Sequence, residues 1–399
     1  MSTHVHTRSI DEESAKMYLD NASTTPVRRE VIDAMMPYLE SRWHNPSSLY
    51  SDATYVRAAV DRARKTVAEL IGAKPSEIYF TSGGSESNCW AIQGFANSRL
   101  AKRRVPVVIT TDIEHKSIIE CVKNLPVAAT YFLDVDVYGF VDLGEVERVI
   151  EECVNNGTDP RDILVSIQYA NNEIGTVQDI HKIGDITSKY GCVLHTDAVQ
   201  AFGQIGVSAR VDGFDMMSAS AHKIGGCKGT GVLYVKEGTN IDPLIYGSQM
   251  NSMRGGTENV AGIIGMAKAV ELVYPDNDCK RDSRDRLIEC LEDIGCKLNG
   301  PRFNRLPNNV NVILPYGVNA ETLLYSLDVD DLQIGTGSAC NSRSMKPSHV
   351  LKAIGLSDDE VSGSVRITIG DGFTEKDAER VGDTIDSSIK VLKNIEESE

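Results

Sequence analysis

Lys223 is the residue in this sequence with the most chemical potential. It closes Ser220-Ala221-His222-Lys223, after the run Met216-Met217-Ser218-Ala219, and glycines follow at 225, 226, 229 and 231. An amine at a strand end beside small residues is sterically open, and partial desolvation lets it condense with a carbonyl. A lone lysine is usually a solvated surface charge, so this reading needs companions. Asp197 ends another short apolar run, Cys192-Val193-Leu194-His195-Thr196, with Gln200 three residues on. A carboxylate there is costly unless paired. A protonated ring nitrogen or a structural arginine would serve, and if a helix begins there Asp197 and Gln200 share a face. Ser82-Gly83-Gly84-Ser85-Glu86-Ser87 follows a third run. It is either an N-capped turn or a cradle in which a helix N-terminus and the Ser85 hydroxyl meet a phosphate. His115, after a fourth run, is either a surface histidine or one that stacks on a planar group or shuttles protons. Asn171-Asn172-Glu173-Ile174-Gly175 suits a turn or a hydrogen-bonding rim.

These groups all follow candidate strands, and in open α/β sheets ligands bind beyond the carboxyl ends of the strands. Strands are expected at 77–81, 107–111, 163–168, 192–196, 216–219 and 231–235, and helices at 27–41, 53–71, 85–97, 179–190 and 260–273. That alternation predicts an α/β fold whose large domain has a mostly parallel sheet covered by helices. Beyond about residue 275 the pattern changes: a charged helix at 280–294, an alternating run at 309–314, a helix at 320–327, a β-rich stretch at 364–369 and an amphipathic helix at 374–395. The expected organisation is a flexible leader at 1–16, a large domain at 17–275 and a smaller α+β domain at 276–399.

A chain of 399 residues, 41% hydrophobic and 25% charged, has ordinary globular composition. Its 41 Lys and Arg against 57 Asp and Glu leave a net charge of −16, which disfavours a nucleic-acid partner. No apolar run is long enough to span a bilayer, and the polar start lacks the apolar core of a signal peptide. The nine cysteines are odd in number and contain no CxxC, so neither a disulfide framework nor a metal site is expected, and a reducing cytoplasm is the expected compartment. Cys340 stands apart in Gly335-Thr336-Gly337-Ser338-Ala339-Cys340-Asn341-Ser342-Arg343, with Lys346 just beyond. Small neighbours permit movement, and the two cations favour a thiolate.

The phosphate turn, the histidine, the strand-end Asp and the Ser-x-His-Lys element occur in the order and spacing of a pyridoxal-phosphate enzyme. The chain resembles the class V aminotransferase-like group of fold type I and, within it, the cysteine desulfurases. Further stretches carry the resemblance: Tyr18–Pro26, Asn45-Pro46-Ser47-Ser48, Glu114-His115-Lys116, Arg254-Gly255-Gly256-Thr257-Glu258-Asn259, Gly337–Cys340 and Ser364-Val365-Arg366. The resemblance implies that Lys223 anchors pyridoxal 5'-phosphate, Asp197 pairs with its ring nitrogen, and His115 stacks on the ring. It further implies Asn172 and Gln200 on the phenolic-oxygen side, and Gly84, Ser85, Ser220 and His222 on the phosphate. Thr257 would serve the neighbouring subunit's cofactor in a homodimer, and Arg366, with Asn172, would hold the carboxylate of L-cysteine. Cys340 would take the sulfur as a persulfide and carry it to an iron–sulfur scaffold or a tRNA-thiolation relay. A selenocysteine lyase, an aminotransferase and a catalytically dead scaffold are the competing readings. The chain departs from the family pattern at Ser85, Tyr50, Cys227 and Asp371.

Overall fold

The computed structural model describes residues 16–126, 129–273, 278–336 and 347–396. The expected leader apart from Lys16, the expected boundary at 275, and Cys340 with Arg343 and Lys346 lie outside the described residues.

A short strand, β1 (Met17–Tyr18), is followed by the strands of the main sheet: β2 (Ile78–Thr81), β3 (Val107–Thr111), β4 (Ala129–Leu133), β5 (Ile163–Ser166), β6 (Val193–Asp197), β7 (Met216–Ser220) and β8 (Gly231–Val235). They form one seven-stranded sheet in the order β2-β8-β7-β6-β5-β3-β4. The neighbouring pairs from β7 to β4 are parallel, and only β8 runs against its two neighbours. The sequence of β3, β5, β7 and β8 explains this placement. Each is apolar or small along its whole length and is buried throughout, as central strands covered on both faces must be. β4 is the strand that sequence patterning does not signal. It lies at the sheet edge, and its first residues, Ala129 and Thr130, are exposed, so burial demands no continuous apolar run there.

Helices α1 (Arg29–Glu40), α2 (Ser51–Leu70), α3 (Gly84–Leu100), α4 (Lys116–Lys123), α5 (Leu143–Asn155), α6 (Ile180–Tyr190) and α7 (Val260–Glu271) cover the sheet. One core contains Val67, Phe80, Val165, Phe202 and Met266; a second contains Trp90, Phe95, Ile118 and Leu233. The chain after Asp197 makes a run of turns rather than the helix considered from sequence. Ala201 and Phe202 both donate their N–H groups to the Ala198 carbonyl, and the run then closes at Gly203 with φ +77°.

The C-terminal part contains α8 (Asp278–Asp293), β9 (Lys297–Leu298), β10 (Asn309–Ile313), α9 (Ala320–Val329), β11 (Leu332–Gln333), β12 (Gly335–Thr336), α10 (His349–Ala353), α11 (Asp358–Ser362), β13 (Ser364–Thr368) and α12 (Glu375–Glu396). Its four-stranded sheet runs β12-β13-β10-β9, and its core joins Leu287, Val312, Leu323, Val365 and Ile385. The N-terminal segment belongs to this core: β1 pairs with β11, and Leu19 is buried among its residues. Across the seam, Val350, Leu351 and Ile354 of the α10 region pack on Ile113 and Ile174 of the main sheet's loops. Asp371, one of the departures, bridges the same two parts by pairing with Arg28 and Lys280.

Candidate active site

The carboxyl ends of β2, β3, β5, β6 and β7 open into one cavity of about 360 Å³. β2 delivers Gly84 and Ser85, β3 delivers His115, and the loop after β5 delivers Asn172. β6 ends on Asp197, with Gln200 in the following turns, and β7 runs into Ser220, His222 and Lys223. Arg366 enters from β13 on the other side of the seam. Thr257 does not line this cavity; it is exposed. Its segment is fastened to the main body of the chain by Arg254–Glu86 at 2.9 Å and Arg64–Glu258 at 3.4 Å. Cys227 is half-buried 3.5 Å from the Thr230 hydroxyl and is absent from the cavity wall.

At the N-terminus of α3, Gly84 permits a close approach of chain to chain. A Cβ on it would lie 2.6 Å from Val199 Cγ2. The helix offers free N–H groups and the positive end of its dipole here. Ser220 Oγ is buried beside it with no partner among the described residues. Burying a hydroxyl without a partner is costly, so the group is arranged for something that binds there. His222 accompanies it, its Nδ1 3.1 Å from Thr24 Oγ1, and burial with the charge of Lys223 pushes its pKa down to about 4.

Asp197 lies across the cavity, 7% exposed. Its Oδ2 accepts from Asn88 Nδ2 at 2.7 Å and its Oδ1 from the Val199 N–H at 2.9 Å. Neither donor is cationic, and among the described residues no arginine or lysine pairs with it. The structural-arginine alternative is therefore not what these residues build. A buried carboxylate facing a cavity, a helix N-terminus with an orphaned serine and a lysine between them fit a phosphorylated pyridine aldehyde. The Lys223 ammonium donates to the carbonyls of Ala22 and Ser23, the latter at 2.8 Å, and Gln200 Nε2 reaches the same Ala22 carbonyl at 3.0 Å. Burial lowers the pKa of His115, against a smaller opposing pull from Asp197.

Arg366 is 2% exposed. Its Nη2 donates to Asp20 Oδ1 at 2.7 Å and Ser23 Oγ at 2.9 Å, and its Nη1 to the Asn172 carbonyl at 3.1 Å. Nε keeps a buried hydrogen with no partner among the described residues. Nearby, burial raises the carboxyl pKa of Glu173 to about 7, although Ser348 Oγ donates to it at 2.5 Å. Glu114 is buried too and is raised to about 8, with one oxygen unpartnered. The Nε2–H of His349 donates to the Glu114 carbonyl at 2.9 Å.

Sequence reasoning alone did not reach Asn88, Ser117, Asp20, Ser23 or His349. Asn88 left a signal: it lies three residues beyond Ser85 and so shares its helix face. Asp20 left none, because its partner Arg366 is 346 residues away.

Comparison with known proteins gives the family. The aminotransferase class-V family model matches residues 17–381. The cysteine desulfurase IscS of Dictyoglomus turgidum is 43% identical over 390 residues, covering 95% of this chain and 96% of the relative. A NifS-like protein of known structure superposes with a TM-score of 0.85 at 32% identity, over 94% of this chain and 100% of that one. The protein SspA, solved in complex with cysteine, gives a TM-score of 0.77 at 33% identity, over 88% of this chain and 98% of that one. This chain belongs to the class V aminotransferase family and, within it, to the pyridoxal-phosphate-dependent cysteine desulfurases.

Proposed function

We propose that the enzyme converts L-cysteine to L-alanine, takes the sulfur onto Cys340 as a persulfide, and passes it to an acceptor in iron–sulfur cluster assembly or tRNA thiolation. One observation carries this reading: a single cavity holds an amine (Lys223), a carboxylate (Asp197) and a carboxylate-binding guanidinium (Arg366). Each suits a different part of the cofactor and its amino acid. SspA, solved in complex with cysteine, supports cysteine as the occupant of the Arg366 side.

Bound here, pyridoxal phosphate supplies an electron sink that weakens the bonds to Cα and the Cβ–S bond of the amino acid. The protein's residues do the rest. Gly84, Ser85, Ser220 and His222 hold the phosphate, and Thr257 reaches the cofactor of a second subunit. Asp197 keeps the ring nitrogen protonated. Arg366, which lines the cavity, orients the carboxylate. Lys223 would move the Cα proton. The Cys340 thiolate attacks the substrate sulfur; the new S–S bond forms as Cβ–S breaks, and the carbon fragment takes up a proton and leaves as alanine. Atoms and charge balance: cysteine and a thiolate give alanine and a persulfide anion.

The homodimer is supported by the exposed Thr257 and by apolar side chains left in solvent on α1 and beyond it, among them Ile32, Met36, Leu39 and Trp43. The nine cysteines without a CxxC fit a reducing cytoplasm. The direct test supplies cysteine, selenocysteine and cystine side by side and measures alanine with sulfide or selenide. Alanine and sulfide from cysteine support the reading. Release from selenocysteine alone makes the protein a selenocysteine lyase.

A further inference from the structure

His115 is the first residue of α4's cap, and its ring is held from one side. Nδ1 lies 3.2 Å from the backbone nitrogen of Ser117 and 2.7 Å from Ser117 Oγ. A backbone N–H can only donate, so Nδ1 accepts, and a neutral imidazole then carries its proton on Nε2. Ser117 Oγ in turn accepts from Asn88 Nδ2 at 2.9 Å, which directs the hydroxyl hydrogen toward Nδ1. The second hydrogen of the same Nδ2 goes to Asp197 Oδ2 at 2.7 Å. The amide orientation follows from chemistry: turned over, its oxygen would face a carboxylate oxygen, acceptor against acceptor. Asn88 is 1% exposed, so water does not replace these bonds. No described residue hydrogen-bonds Nε2, and the side chain lines the cavity.

We infer that Asn88 and Ser117 are positioning residues that lock His115 as its Nε2–H tautomer, so that it presents a hydrogen-bond donor rather than a base to the cavity. The base in the cavity is then Lys223, and His115 stabilises negative charge that develops beside it. The same Asn88 fixes Asp197, so one amide orients both groups. The tautomer stands on the three hydrogen bonds around Ser117 and Asn88; the consequence for catalysis rests on the function proposed above. The charged and titratable groups that act on His115 are Asp197, Lys223, His349 and Lys116.

The experiment labels the histidine rings with 15N in the purified holoenzyme and assigns His115 by the signals that His115→Gln removes. The expected spectrum has a protonated Nε2 and an unprotonated, acceptor-type Nδ1. Ser117→Ala keeps the backbone N–H donor to Nδ1 but removes the shorter hydroxyl bond, so it should raise the share of the Nδ1–H form without abolishing the Nε2–H form, and Ser117→Thr, which keeps the hydroxyl, should restore the wild-type spectrum. In kinetics, Ser117→Ala should lower kcat about tenfold, as expected for one lost hydrogen bond, with KM for L-cysteine little changed. Its pH profile should gain an ionisation that Ser117→Thr lacks. A protonated Nδ1 in the wild type, or a Ser117→Ala enzyme with unchanged tautomer and kcat, overturns the inference. The wider reading fails separately, by absence of cofactor absorbance in the wild type.

Discussion

The two ends of the cavity are built differently. At the cofactor end, the side chains that face the cavity come mainly from strand ends of one sheet: α3 after β2, Asp197 from β6, and Ser220 to Lys223 from β7, with the Ala22 and Ser23 carbonyls of the N-terminal segment holding Lys223. Two buried polar atoms there, Ser220 Oγ and Asn88 Oδ1, have no partner among the described residues. The Arg366 end straddles a seam. Arg366 comes from β13, its ion-pair partner Asp20 from the N-terminal segment, and the Asn172 carbonyl from the loop after β5. Ser348 and His349 reach from the C-terminal part to Glu173 and Glu114. One end takes most of its side chains from a single sheet, and the other takes its main groups from two parts that must stay docked. The physical division suits a cofactor that stays and a substrate that comes and goes.

The largest expected effect breaks the cofactor end. Lys223→Ala should remove the cofactor's visible absorbance and lower alanine formation at least about a thousandfold, in line with loss of a covalent catalyst and proton carrier. Circular dichroism should be unchanged, because Lys223 is not part of a hydrophobic core. An unaltered spectrum would move the anchor elsewhere. At the seam, Arg366→Lys should leave absorbance intact and raise KM for L-cysteine roughly 10- to 100-fold, the scale of a lost charged hydrogen bond. Steady-state kinetics check this; a fall in cofactor affinity instead would erase the distinction between the two ends.

A smaller effect is read in stability. Burial raises Glu114 from 4.5 to about 8, so the folded state holds this proton over a range where the unfolded chain has lost it. Stability from this group is complete below pH 4.5 and declines as pH rises through about 8. Glu114→Gln should therefore flatten the fall in melting temperature between those limits. Thermal melts across that range check it, and an unchanged slope would place an ionised Glu114 at the seam. The smallest effect is Thr257→Ala, about tenfold weaker cofactor binding in a dimer. Titration of cofactor into the apoenzyme measures it, and sedimentation showing an active monomer would remove the residue from the site.

The same division governs what was legible in the sequence. Asp197 and Lys223 stand out because each terminates a short apolar run, and a polar group at the end of a buried strand needs a reason. The alternation that yields the main sheet is written in β3, β5 and β8 as uninterrupted apolar, β-branched or small residues. β4 escapes because an edge strand half in solvent carries no such run. The turns after Asp197 escape because local patterning does not distinguish an interrupted helix from a true one. The seam is the least legible part. Asp20, Asn172 and Arg366 converge through tertiary folding, and no local period encodes a contact over that sequence distance. The role of Cys340 rests on the resemblance and on its flanking residues, and the residue lies outside the described part of the chain.

The central claim is that sulfur leaves the substrate onto one thiol. Mass spectrometry of the wild-type enzyme after brief exposure to L-cysteine reads it directly. The peptide containing Cys340 should gain the mass of one sulfur, the addition should be reversed by a reducing thiol, and Cys340→Ser should bind cofactor and cysteine yet form no persulfide and no alanine beyond a trace. Added sulfur on Cys227 instead, or desulfuration at the wild-type rate by Cys340→Ser, would contradict the mechanism while leaving the cofactor site standing.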